Sequence, residues 1–149
     1  MPNLAAEYGE MGGAVTPEPT GDVAAVLSDL GTVVTIEEQQ MDLATAINGS
    51  GPAFVFYLIG AMAEAGVEGG LDRESAQALA AQTFKGAAEI VQQSDESVED
   101  LIDAVATEGG TTIEGMEVLW DSDVADVLGE AVAATEERSA EITREVGHE

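Results

Sequence analysis

From Glu37 to its end, the chain is rich in helix-forming residues and holds no strand-like run of β-branched or aromatic side chains. Ala, Leu, Glu and Gln predominate there, and these residues have high helix propensity. The first 36 residues differ, because they contain three of the four prolines and a β-branched run at residues 32–36. We therefore predict a mainly α protein, with a short α/β segment over residues 1–36 and an all-helical domain over residues 37–149.

Residues 1–36 are predicted to form one helix and one or two strands. Apolar residues recur at helical spacing over residues 21–30, and Gly31 is a suitable C-terminal stop. The run at residues 32–36 predicts a strand, and residues 1–13 are expected to be irregular. So few elements cannot bury a sheet, which is typical of the end of an α/β domain.

The next segment is predicted to contain two helices separated by a break. Residues 38–47 form the first helix, Asn48-Gly49-Ser50-Gly51-Pro52 interrupts it, and residues 53–66 form a buried apolar helix. The break leaves only residues 53–63 continuously apolar, whereas a membrane span needs about 20 residues. No membrane partner is therefore expected.

The later helices are predicted from their capping residues. Asp72 begins a helix that ends near residue 93, Ser97 one that ends near residue 105, Thr111 one that ends near residue 120, and Ser122 or Asp123 one that ends near residue 146. Ala and Gly line their inner faces, and the chain has only one Trp, two Tyr and three Phe. Small side chains bury little area each. This thin core favours a homodimer over a monomer.

The charge balance excludes several classes of partner. Thirty acidic side chains face only four basic ones, for a net charge of −26. Nucleic acids and anionic membranes are bound through clustered Lys and Arg, so neither is expected. Cysteine is absent, which excludes disulfides and thiolate metal sites.

The same acidity favours a halophilic source. At about 1 M salt the Debye length is about 3 Å, so repulsion between surface carboxylates is screened. An acidic protein of an ordinary cytosol with a basic partner is the alternative. The N-terminus shows no targeting segment, which predicts a cytoplasmic location.

The segment Gly109-Gly110-Thr111-Thr112 is the most informative candidate site. It precedes an apolar-periodic helix, so free backbone N–H groups and the positive end of a helix dipole are expected there. Such a helix start binds small anions such as a carboxylate. Thr111 and Glu114 also fit a capping box, so a capped helix without a ligand is the alternative.

Other candidate sites are weaker. Gly49-Ser50-Gly51-Pro52 offers a G-x-G, but Phe54 replaces the third glycine of a dinucleotide fingerprint and no strand precedes it. A tight turn between helices is the better interpretation. His148 is the only histidine, so the carboxylate-bridged metal site that needs two E-x-x-H motifs is absent, and no calcium loop occurs. No metal site is predicted.

Taken in order, these motifs resemble the delta-1-pyrroline-5-carboxylate reductase family. The motifs are Met1-Pro2-Asn3, Gly49-Ser50-Gly51-Pro52-Ala53-Phe54, Glu64-Ala65-Gly66-Val67, Gly69-Gly70-Leu71 and Gly109-Gly110-Thr111-Thr112-Ile113. The resemblance implies an N-terminal dinucleotide-binding (Rossmann-like) domain followed by an all-helical domain that dimerises through interlocked helices. Residues 1–36 would then be the C-terminal remnant of the first domain, and residues 37–149 the dimerisation and substrate-binding domain.

The resemblance also implies an activity, the reduction of 1-pyrroline-5-carboxylate to proline by NADPH or NADH. The substrate carboxylate would be held by the backbone amides of Gly110 and Thr111, and the Thr112 hydroxyl would bond the ring nitrogen as the catalytic group. The substrate-binding set is Thr107, Gly109, Gly110, Thr111 and Thr112. The cofactor-binding candidates are Pro2 and Asn3, whose family counterparts lie near the nicotinamide.

Two departures from the family pattern stand out. Thr107-Glu108 replaces a common Ser-Pro, and a carboxylate beside a carboxylate site costs about 1–2 kcal/mol at an effective dielectric near 20 and about 8–15 Å. Asn48 occupies a position that is usually apolar or Ser-like, which is expected to matter little.

The Gly-rich nucleotide-binding motif of the family is not found, so the chain is expected to be inactive alone. A late start codon, a truncated gene or a deliberate fragment would each explain this. A catalytically silent, self-associating helical module is the main alternative function, and an acidic adaptor for a basic partner is a further one. Assembly of dimers into rings is left open.

Overall fold

The structure, a computed structural model, describes residues 1–146 and is mainly α. His148 lies outside the described residues. The elements are β1 (Met11–Val15), α1 (Gly21–Leu30), β2 (Gly31–Thr35), α2 (Met41–Ala44), α3 (Gly51–Glu68), α4 (Arg73–Gln93), α5 (Val98–Val105), α6 (Thr111–Trp120) and α7 (Val124–Val146). The predicted fold class is confirmed.

The described residues form two compact units, one from residues 1–55 with 126–146 and the other from residues 56–125. In the first unit, side chains of α7 are hydrogen-bonded to α2. Ser139 Oγ donates to Asp42 Oδ1 at 2.7 Å, and Thr143 Oγ1 donates to the same oxygen at 3.2 Å. The domain boundary after residue 36 stays a prediction.

The α/β segment contains a parallel pair of strands connected by α1. Met11 lies opposite Gly31, and Val15 lies opposite Thr35. Met11 and Ala14 are buried and form the core of this segment. Gly31 has φ +146°, and a Cβ there would lie 2.2 Å from the Met11 carbonyl oxygen, so this position requires glycine.

The prediction that residues 1–13 are irregular was wrong. A 3₁₀ helix runs over Leu4–Tyr8, and β1 begins at Met11. The strand was not predicted because it contains Gly12 and Gly13, and glycine has low strand propensity. Pairing with β2 and burial of two β1 side chains outweigh that propensity.

The predicted break at residues 48–52 was also wrong. A continuous helical segment runs from Glu38 to Glu68, as a 3₁₀ turn (Glu38–Gln40), α2, a π-helical turn (Thr45–Ser50) and α3. A π turn widens the helix and shifts its hydrogen-bond partners by one residue. The ring of Pro52 and its missing N–H are therefore tolerated beside it.

This segment is long and apolar enough to cross a membrane by length and composition, with a mean hydropathy of 1.3 in its most apolar window. Such a helix is weak evidence for a span, because soluble core helices pass the same test. Only 11% of the window is buried within the chain, so the predicted burial is not found in a single copy. Phe56 and Tyr57 are 60% and 77% exposed. The expected absence of a membrane partner stays a prediction.

The unit of residues 56–125 has the thin alanine core that the composition predicted. Ala63, Ala76 and Ala80 are buried, with Ile59 and Val67 packed against them. The predicted caps are confirmed at two helix starts. Asp72 Oδ1 accepts from the Ser75 N–H at 2.9 Å, and Ser97 Oγ accepts from the Asp100 N–H at 3.1 Å.

Candidate functional site

The candidate site is the turn of residues 106–110, between the end of α5 and the start of α6. Gly109 has φ +75°, a left-handed conformation that glycine adopts without strain. The Gly110 N–H donates to the Thr107 carbonyl at 2.9 Å, which closes the turn. A Cβ on Gly110 would lie 3.0 Å from both Thr107 O and Thr107 Oγ1. The first glycine is therefore favoured by its backbone angle, and the second by the close approach of Thr107.

The start of α6 is not capped by a side chain. Gly110 is the N-cap residue, and no side chain accepts a hydrogen bond there. The predicted capping box of Thr111 and Glu114 is therefore absent, because α6 begins at Thr111 itself. The first N–H groups of an α-helix have no acceptor within the helix, and they carry the positive end of its dipole.

The N–H groups that are free at this helix start differ in part from those the resemblance implied. The Gly110 N–H is already bonded to Thr107, within the turn. The N–H groups of Thr111, Thr112 and Ile113 are the ones without an intrahelical acceptor. Helix starts with free N–H groups of this kind suit small anions.

The Thr112 side chain combines an available hydroxyl with an apolar setting. The hydroxyls of Thr45, Thr83 and Thr135 each donate to the carbonyl four residues earlier. The Thr112 hydroxyl makes no hydrogen bond within residues 1–146. Thr112 is the single polar residue lining an apolar groove of about 500 Å³ between α4, α5 and α6. The other lining residues are Ala87, Ile90, Val91, Val98, Leu101, Ile102, Ala104, Val105 and Met116. Thr112 is itself exposed, so water reaches its hydroxyl when the groove is empty.

No basic side chain lies within residues 106–113, so recognition of an anion there depends on the backbone. Arg73, in the same unit, is engaged elsewhere. It forms an ion pair with Glu64 at 2.9 Å, and its hydrogen bond and charge lower the pKa of Glu64. Glu108 is exposed in the turn, so solvent screens much of its predicted repulsion of an anion.

Pro2 and Asn3, the cofactor-binding candidates, belong to the other compact unit. Pro2 is exposed. The Asn3 carboxamide is engaged at both ends: Nδ2 donates to Asn48 Oδ1 at 2.9 Å and to Asn48 O at 3.2 Å, and Oδ1 accepts from the Ala5 N–H at 3.1 Å. The expectation that Asn48 matters little is therefore wrong for the fold. Its polarity within a long uncharged stretch was the available signal.

Comparison with known proteins identifies the family. The pyrroline-5-carboxylate reductase dimerisation family matches residues 38–142. The chain belongs to the pyrroline-5-carboxylate reductase family. The matched segment contains the turn of residues 106–110, the start of α6 and the apolar groove.

Pyrroline-5-carboxylate reductases from several organisms are similar to the chain. The protein of Methanosarcina acetivorans is 38% identical over 148 residues, which are 95% of this chain and 55% of the relative. That of Synechocystis is 41% identical over 128 residues, 86% of this chain and 48% of the relative. The chain thus spans about half the length of the curated relatives it matches.

Solved structures of pyrroline-5-carboxylate reductases share the fold. A structure of the Plasmodium falciparum enzyme with NADP bound is 34% identical, with a TM-score of 0.82 over 93% of this chain and 59% of that one. The Coxiella burnetii enzyme is 29% identical, with a TM-score of 0.86 over 95% of this chain and 55% of that one. The likeness therefore extends beyond the segment that the family description matches.

Proposed function

We propose that the chain is the dimerisation and substrate-binding part of a pyrroline-5-carboxylate reductase, which reduces the C=N bond of 1-pyrroline-5-carboxylate to give proline. The observation that carries the proposal is the uncapped start of α6, with the Thr112 hydroxyl beside it, inside the segment that the family matches. The relatives named above are pyrroline-5-carboxylate reductases. Proline and its imine precursor both have the small carboxylate that this helix start suits.

In the proposed reaction, the start of α6 binds and orients the substrate. The N–H groups of Thr111, Thr112 and Ile113 receive the carboxylate, and the helix dipole favours its negative charge. The Thr112 hydroxyl then donates to the ring nitrogen. As the imine carbon is reduced, electron density moves to that nitrogen, and a donor already aimed there stabilises the developing charge. Protonation of the nitrogen completes the amine.

NADPH or NADH is the proposed reductant and supplies the hydride. The described residues do not fit the pyrophosphate of a dinucleotide. The connection between β1 and α1 contains Pro17, Glu18 and Pro19, so it lacks two N–H donors and carries a negative charge where a phosphate-binding turn needs N–H groups. We therefore assign no phosphate contact to this chain and expect it to bind NADPH weakly by itself.

A homodimer is the proposed assembly, and rings of dimers remain part of the proposal. Support comes from the exposed apolar side chains of α3 and from the family match, which concerns dimerisation. A second copy would cover side chains that water otherwise contacts. A cytoplasmic location also stays a proposal.

The substrate site is tested first on the 149-residue chain. L-Proline, as the product, should shift the backbone amide signals of Thr111, Thr112 and Ile113 in a ¹⁵N spectrum. Shifts confined to the acidic surface, or none at millimolar proline, would contradict the site. A self-associating module without catalytic function would then be the better account.

Thr112→Ala tests the proposed chemistry in a hybrid in which this chain replaces the matching 148 residues of the Methanosarcina acetivorans relative. Loss of one donor aimed at developing charge costs up to about 10²–10³ in rate, and we expect about tenfold or more here because water can partly replace a hydroxyl. Thr112→Ser should keep most of the activity, since the hydroxyl is the proposed agent. NADPH oxidation with 1-pyrroline-5-carboxylate is the measurement.

Thr83→Ala is the matched control, because Thr83 is an exposed threonine whose hydroxyl bonds its own helix. It should leave the rate unchanged. Equal rates for Thr112→Ala and the unsubstituted hybrid would contradict the catalytic role of Thr112, whatever the proline spectra show.

A further inference from the structure

The resemblance implied that Asn3 binds the cofactor, but the contacts of its side chain do not suit that role. A cofactor-binding carboxamide needs a free donor or acceptor, yet both ends of this group are engaged within the fold. Nδ2 has two acceptors on Asn48, and Oδ1 caps the 3₁₀ helix at the Ala5 N–H. A ligand acceptor would have to displace Asn48 from Nδ2, and a ligand donor would find only the second lone pair of Oδ1.

Asn48 makes the complementary set of contacts from within the π turn of residues 45–50. Its Oδ1 and its carbonyl oxygen accept from Asn3, and its Nδ2 donates to the Met1 carbonyl at 3.1 Å. The Asn48 side chain thus bonds both Asn3 and Met1, which lie 45 and 47 residues earlier in the sequence. Neither Ala nor Ser has the reach and the paired donor and acceptor to make both contacts.

The surrounding backbone leaves room for this arrangement. A Cβ on Gly12 would lie 2.6 Å from Asn48 Oδ1 and 3.6 Å from Asn3 Nδ2, so a side chain at position 12 would displace the pair. The Met1 carbonyl also accepts from the Ala14 N–H at 3.2 Å, which connects the same segment to β1. The bond between Asn3 and Asn48 therefore needs both the π turn and the space that Gly12 leaves.

We infer that Asn48 is a positioning residue, which fixes residues 1–5 against the π turn through the Asn3 carboxamide, and that the Asn3 side chain does not bind the cofactor. The inference rests on the proposed function and on the resemblance, which places the counterparts of residues 2 and 3 near the nicotinamide. The role of the Asn3 side chain then changes from binding the cofactor to holding residues 1–5 in place. Any cofactor contact from this segment then falls to its backbone or to Pro2.

The test uses the 149-residue chain and the side-chain amide signals of its two asparagines, Asn3 and Asn48. The Asn3 NH₂ signal should be shifted and slow to exchange. Asn48→Ala should restore the shift and exchange of a free carboxamide, whereas Asn48→Asp should keep the protected signal, because a carboxylate oxygen still accepts from Asn3. An unchanged Asn3 signal in Asn48→Ala would overturn the positioning role.

Stability gives a second measurement that does not depend on the proposed function. Asn3→Ala and Asn48→Ala should each lower the unfolding midpoint, and the double variant should be little worse than the more damaging single one. Gln92→Ala, which removes an exposed amide on α4, is the control and should have little effect. Additive losses from Asn3 and Asn48 would overturn the coupling.

NADPH is then added to the same chain. The Asn3 NH₂ signal should stay in place at millimolar NADPH, and Asn3→Ala should change the NADPH affinity less than twofold once the unfolded fraction is corrected. Loss of the protected Asn3 signal on addition of NADPH would overturn the inference. Failure of the proposed function appears separately, as the absence of proline-induced shifts at Thr111–Ile113.

Discussion

Two adjacent glycines in the turn before α6 meet different physical requirements, and the sequence shows only that both are present. Gly109 has a left-handed backbone, whereas a side chain at Gly110 would crowd Thr107. A pair of glycines before an apolar helix predicted a loop at a helix start, which the structure contains, and an anion site, which stays a proposal. It could not predict that the Gly110 N–H is engaged, because that depends on how the Thr107 carbonyl is oriented.

Gly109→Ala should destabilise the chain by about 1–2 kcal/mol, since a Cβ disfavours a left-handed backbone by this amount. Urea unfolding followed by circular dichroism measures the change. Gly129→Ala is the control: Gly129 lies inside α7 with open space around its Cα, so alanine there should be neutral or stabilising. Equal effects of the two substitutions would contradict the role given to the Gly109 backbone.

At the scale of elements, the sequence predicted the helices that begin with a capping side chain. It did not predict the elements that depend on contacts between residues distant in sequence. Asp72 and Ser97 precede their helices with the side-chain oxygen that orphan N–H groups need, and both form the expected bonds. The strand β1 is stabilised by its partner rather than by its residues, since two glycines lie at its centre. The π turn likewise depends on contacts with residues 1–3, which are distant in sequence.

The cap of α4 predicts a pH dependence. Hydrogen bonds from Ser75 lower the pKa of Asp72 below its ordinary value of 3.8. A lowered folded-state pKa means that the stabilisation is fully present above about pH 4 and is lost as the pH falls through the lowered pKa. Asp72→Ala should therefore lower the melting temperature by about 2–4 °C at pH 6.

The difference between Asp72→Ala and the unsubstituted chain should shrink as the pH is taken below 3.5. Thermal scans at several pH values, all in high salt, give this difference directly. Asp95→Ala, at an exposed aspartate between α4 and α5, allows for the loss of one charge. A deficit that is the same at every pH would show that the cap acts without its negative charge.

At the scale of the whole molecule, acidity is the dominant property. Only four basic side chains balance thirty acidic ones, and two of them, Arg73 and Arg138, form ion pairs with glutamates on the described surface. Repulsion within the compact state grows as screening falls. We expect helix content to decrease as KCl is lowered from about 2 M to about 50 mM, measured by circular dichroism. Constant helicity would contradict the predicted halophilic character.

The exposed apolar side chains predict self-association. Light scattering in about 2 M KCl should give twice the chain mass, because covering such surface removes it from water. Phe56→Asp, at a position 60% exposed on α3, should shift the chain towards monomer. Val26→Asp, on α1 and 59% exposed, is the matched control and should leave the dimer intact. A monomer for the unsubstituted chain at micromolar concentration would contradict the proposed assembly.

The hydrogen bonds from Ser139 and Thr143 to Asp42 have a consequence for the order in which the chain acquires its structure. They close a loop of 97 and 101 residues, and closing a flexible loop of that length costs about 4 kcal/mol of chain entropy by the logarithmic rule. During synthesis, residues 1–55 emerge long before their partners on α7. The unit of residues 56–125, which is continuous in sequence, can form first and shorten that loop. The first unit can be completed only after α7 has left the ribosome.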